Sequence, residues 1–118
     1  MTIQRLDRNA RLSEAAVANG VDFTAGVVPD DATQDITGQT RQVLGKIEDL
    51  LRRADSDKTK LMSAAICQPA IVDFAAMNAA WDAWPASGRA PSPACVMAGL
   101  VNPAWLVEVV VTATVCAR

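Results

Sequence analysis

Two periods of apolar residues alternate along this chain, and their order outlines a small sheet with two helices. Thr2 to Leu6 reads as a short first strand. Ala15 to Ala18 forms a second, and Asn19-Gly20 then supplies the two left-handed residues of a tight hairpin turn. In the third strand Val21, Phe23 and Ala25 alternate with Asp22 and Thr24 until Gly26 breaks the pattern, as a bend or as a close approach of the backbone to a ligand. From Ile36 the apolar positions Val43, Leu44, Ile47, Leu50 and Leu51 share one face of an α-helix, capped by Asp35 or Thr37 and ending near Ala54. Asp55 to Lys60 is a polar connection. Leu61 to Gln68 is apolar on both alternating sets, which predicts a strand buried on both faces and ended by Pro69. Asp73 is placed to cap a second helix, with Phe74, Met77, Trp81 and Trp84 on one stripe and Pro85 and Gly88 as its stop. After a turn-rich loop, Ala86 to Pro93, the strand Ala94 to Ala98 and the Asn102-Pro103 loop lead to the last and longest strand, Leu106 to Val115.

That order predicts an α+β fold: one sheet with two helices on one face, each helix carrying the chain between two strands. The odd positions of the last strand, Val107 to Val115, are apolar and face the helices. The even positions carry Glu108, the single charge of the strand. An ionised carboxylate there is costly unless it meets water, a partner or a ligand. The sheet's second face has no helix left to cover it and is expected to pack on another subunit.

Composition narrows the field. At 118 residues the chain bounds a single domain, 1–118, and an apolar share of 51% favours burial of the excess between subunits. A net charge of −2 and the lack of a basic cluster interleaved with aromatics disfavour nucleic acid. The chain has no histidine, and Cys67, Cys95 and Cys116 form no CxxC pair, so no metal site and no cofactor are expected. Widely spaced cysteines, an N-terminus without a signal-peptide pattern and the lack of a long apolar run predict a cytosolic protein with no membrane segment.

Three segments carry a family resemblance: GQTRQVLGKIEDLL (Gly38 to Leu51), DFAAMNAAWDAW (Asp73 to Trp84) and LVEVVVTA (Leu106 to Ala113), with FTAGVVP (Phe23 to Pro29) before them. In this order and spacing they resemble the Rid (YjgF-type) family over nearly the whole chain. The resemblance implies a chorismate-mutase-like fold, a homotrimer around a central β-barrel, and three clefts between subunits. It implies hydrolysis of reactive enamines and imines to 2-oxo acids and ammonia, with an arginine of a Pro-x-Arg segment holding the substrate carboxylate and a glutamate of the last strand acting on water. The glutamate corresponds to Glu108, the cysteine two positions after the arginine to Cys95, and the glycine of the first loop to Gly26. The arginine position is Pro93, in Pro91-Ser92-Pro93, and proline supplies neither charge nor donor.

Glu108 and Cys95 are therefore the catalytic candidates. Residues 93, 95 and 97 share one face by period two, so Met97 lines the cleft wherever Pro93 and Cys95 do. Arg89 and Arg11 are the candidates to replace the missing charge. Two readings follow: a hydrolase of a different imine or enamine, or a catalytically inactive trimer that binds a metabolite or a partner. Nuclease activity, known for some relatives of the resembled family, is disfavoured by the acidic charge balance and the missing histidine.

Overall fold

The computed structural model describes residues 2–85 and 88–115. Six strands form one mixed sheet in the order β1-β2-β3-β6-β4-β5, where β1 is Gln4–Leu6, β2 Ala15–Ala18, β3 Val21–Thr24, β4 Leu61–Gln68, β5 Ser92–Met97 and β6 Glu108–Thr114. Helix α1, Ile36–Arg53, joins β3 to β4, and α2, Phe74–Asp82, joins β4 to β5. The last strand enters the middle of the sheet, antiparallel to both β3 and β4, while β5 runs parallel to β4 at the edge.

The elements form for local reasons. Asn19 and Gly20 both adopt positive φ, 52° and 76°, and turn β2 into β3. Of the two cap candidates Asp35 serves α1, its carboxylate accepting from the Gly38 amide at 2.8 Å, and Arg52 and Arg53 stand in the last turn against the helix dipole. Both helices lie on one face of the sheet. Val43, Leu44, Ile47 and Leu51 of α1 and Met77 and Trp81 of α2 share one core with Val107, Val109, Val111 and Ala113.

Three expectations change, and register settles what the alternation of β3 left open. β4 is buried on one side only: Ala64, Ile66 and Gln68 are covered, and Met62 and Ala65 are exposed. Its second apolar set faces the side of the sheet that no helix covers. Asp73 makes no side-chain cap; a short 3-10 turn, Ile71–Asp73, leads into α2 instead and leaves Phe74 exposed at the head of its stripe. The fifth strand starts at Ser92 and so includes Pro93, which an edge strand tolerates because one side of its backbone needs no ladder partner. In β3, register decides which face is buried. Asp22 lies opposite the core residue Ala113 and is 0% exposed, while Phe23 lies opposite Thr112 and is 52% exposed. Part of the predicted loop Ala86 to Pro93, and Cys116, fall outside the described residues. Among the described residues no helix is long and apolar enough to cross a membrane.

Candidate functional site

The site begins with how Glu108 is delivered. The segment before β6 is tied down by side chains distant in sequence. Asn102 accepts from the Ala104 amide at 2.9 Å and opens the turn marked by Asn102-Pro103. Gln39, fully buried in the first turns of α1, accepts from the Leu106 amide at 2.8 Å. Its amide nitrogen donates to the carbonyls of Ala104, Ala32 and Gln34. Val107 then enters the core with no exposed surface, and the next residue in an alternating strand must face the other way. That residue is Glu108.

A second segment meets it. Val27 and Val109 exchange two backbone hydrogen bonds, of 2.8 and 3.1 Å, which pin the end of the Phe23 to Pro29 stretch beside the start of β6. Lys46 of α1 secures the same stretch, donating to the Val28 carbonyl at 2.7 Å and pairing with Asp30 at 2.8 Å. Gly26 is thereby laid against the glutamate: a Cβ at this position would stand 2.7 Å from Glu108 Oε2. The break in the β3 pattern is a close approach, and the group approached is a carboxylate of the same chain. Glu108 is half-buried, and among the described residues it has neither an ion pair nor a hydrogen-bond partner.

The other candidates are distributed by register. Cys67 pairs with Glu108 on one side and Val96 on the other, so these three share the face without helices. Pro93, Cys95 and Met97 pair with Ala64, Ile66 and Gln68, which places all three on the helix-side face, as period two requires. Within one chain Cys95 and Glu108 thus project from opposite faces. The Cys95 thiol packs against the core and donates to Gln68 Oε1 at 3.6 Å. Burial pushes its pKa up, with the neighbouring Cys67 adding to the shift, and a thiol so held is a poor nucleophile. Pro93 and Met97 are exposed on the edge strand. Arg89 is exposed in the loop before β5. Arg11 is exposed in the β1–β2 loop at the opposite edge of the sheet, five strand spacings or roughly 24 Å from β5.

Gln39 escaped the sequence reading. Its signal is present all the same: between Ile36 and Val43 the apolar stripe of α1 is interrupted by Gln39 and Thr40, on the face where apolar residues belong. A polar residue at such a position needs partners, and here they are the backbone that carries Glu108.

The family model described as Endoribonuclease L-PSP matches residues 2–115. The RutC family protein of Haemophilus influenzae is 42% identical over 97% of this chain and 99% of its own length. The RutC family protein YoaB of Escherichia coli is 40% identical over 98% of this chain and 100% of its own. A crystal structure of a YjgF family member from Neisseria meningitidis superposes with a TM-score of 0.96 at 40% identity, covering 100% of this chain and 98% of that one. A six-stranded mixed sheet with both helices on one side is thus shared with close relatives over its full extent, and this chain belongs to the Endoribonuclease L-PSP family, the group of Rid or YjgF proteins.

Proposed function

We propose that the protein is a hydrolase of a reactive imine or enamine, working in a cleft between subunits of a homotrimer, with Glu108 as the group that moves the proton. The observation that carries this reading is the Glu108 carboxylate, unpaired among the described residues and lying against a glycine on the uncovered sheet face. A carboxylate without a cation is free to take a proton from water. Water's oxygen then adds to the imine carbon, the C=N electron pair moves to nitrogen, and nitrogen takes up a proton. The resulting carbinolamine loses ammonia and leaves a carbonyl. For an enamine, protonation at carbon comes first and gives the imine. The exposed apolar residues Phe23, Val96 and Val110 on the same face support burial against further copies. Gly26 is the close wall of the cleft; Pro93, Met97 and Cys95, on the opposite face of the same sheet, reach such a cleft only from another copy. With proline at 93 the substrate's charge is held by Arg11 or Arg89, or the substrate is uncharged at that end.

A second reading has one observation in its favour. By the resemblance, Pro93 stands where the family carries its arginine, and without that anchor the cleft of a trimer binds a metabolite or a partner without turning it over. An ammonia-release assay with amino-acid-derived imines separates the two. Turnover by the wild type that disappears in Glu108→Gln supports the hydrolase. If the wild type is inactive and Pro93→Arg gains turnover, the pocket lacks only its anchor; if neither releases ammonia, the binding reading stands. Light scattering that found a monomer would refute both.

A further inference from the structure

The β1–β2 loop separates its own charges. Asp7 and Glu14 turn toward α1 and line a groove there with Lys46, Asp49 and Arg53, and Asp7 is bound to Arg53 at 2.6 Å. Arg5, Arg8 and Arg11 instead line a different concavity, of about 380 Å³, together with Asn9, Leu12 and Ser13. Among the described residues none of these three arginines has an ion pair, whereas Lys46, Arg52, Arg53, Lys58 and Lys60 all do. The loop has a defined shape. Asn9 Oδ1 accepts from the Arg11 and Leu12 amides at 2.8 and 3.0 Å, the Asn9 amide bonds the Leu12 carbonyl at 2.8 Å, and the Glu14 amide bonds the Leu6 carbonyl at 2.9 Å. Arg5, Arg8 and Arg11 are the charged residues of the concavity's lining. Three like charges around one hollow repel each other until an anion enters.

We infer that the Arg5–Arg8–Arg11 hollow is an oxyanion-binding site, taking the carboxylate or phosphate group of a small metabolite. A planar, permanently charged guanidinium pairs with either group through two parallel hydrogen bonds. Binding at the hollow does not depend on the hydrolase reading. Only its part in the reaction does, because Glu108 stands on β6, three strand positions from β1 in the same sheet.

The test uses the full-length protein, isotope-labelled, titrated with inorganic phosphate and with malonate at an ionic strength held constant by sodium chloride. Saturable movement of the amide resonances of residues 5–13 is expected. Arg8→Ala/Arg11→Ala should weaken it by about tenfold or more, with Arg11→Lys intermediate because it keeps the charge and loses the fork. Arg41→Ala removes an exposed cation of α1 and should change nothing. Tighter binding of malonate points to carboxylate metabolites, and of phosphate to phosphorylated ones. Equal movement with chloride alone, or unchanged affinity in the double variant with its fold intact by circular dichroism, overturns the site. Ammonia release retained in a variant that no longer binds malonate or phosphate tells against the hollow's part in the reaction and leaves the hydrolase reading standing. Binding with no ammonia release does the reverse.

Discussion

Asp22 offers the sharpest test of the structure. Its side chain is 0% exposed, opposite Val17 and Ala113, and among the described residues neither carboxyl oxygen has a hydrogen-bond partner. Burial alone pushes its pKa up to about 6 from the ordinary 3.8. The sign follows directly. Below pH 3.8 the group is protonated whether the chain is folded or not. Between 3.8 and 6 the unfolded chain ionises while the folded one holds its proton, so stability falls as pH rises, and above 6 the loss is complete. A shift of this size corresponds to about 3 kcal/mol, with about half lost by pH 5. Asp22→Asn keeps the shape and removes the titration. Urea unfolding should be followed by tryptophan fluorescence at fixed protein concentration and ionic strength, from pH 4 to pH 8. The two proteins should be nearly equal in stability at pH 4, and the asparagine variant should lead by about 3 kcal/mol at pH 8. A gap that does not change with pH would refute the reasoning, since it would mean that Asp22 ionises in the fold as readily as in the unfolded chain.

Other predictions read different parts of the molecule. Gly26→Ala should push the Glu108 carboxylate aside, because the new methyl meets only the far end of a flexible side chain; activity should fall as in Glu108→Gln while stability changes by less than about 1 kcal/mol. Gln39→Leu leaves three carbonyls and the Leu106 amide without their partner and should cost about 3 kcal/mol or more in urea unfolding, with any ammonia release falling as the approach to Glu108 loosens. Asp35→Ala removes the α1 cap and should cost about 1 kcal/mol, with no effect on ammonia release per folded molecule.

How far the fold could be read in advance depended on whether the relevant force was local. The hairpin at Asn19-Gly20 and the start of α1 at Asp35 were legible because backbone sterics and capping act within a few residues. The two faces of β6 were legible because one set is apolar without exception. β3 was harder, because its alternation names a strand without saying which set is covered. Pairing with Ala113 sends Asp22 inward, and that register is a property of the whole sheet. Period two placed residues 93, 95 and 97 on one face of β5. Setting that face against Glu108 needed the β4 ladder, which no local pattern contains. The contact between Gly26 and Glu108, 82 positions apart in the chain, was likewise invisible until both strands were laid against each other.

The place of β6 has a consequence for how the molecule comes into being. β1 to β3 form one ribbon and β4 with β5 another, and among the described residues only β6, which follows them in the chain, joins them. Before it docks, α1 has no sheet spanning its length, and both ribbons expose an open edge. Such late, long-range pairing is slow and leaves strand edges open to other chains in the meantime. Glu108 is the first residue of that closing strand, so its carboxylate comes to rest against Gly26 in the same event that completes the sheet. A chain that stops before Glu108 would therefore lose the fold and the site together.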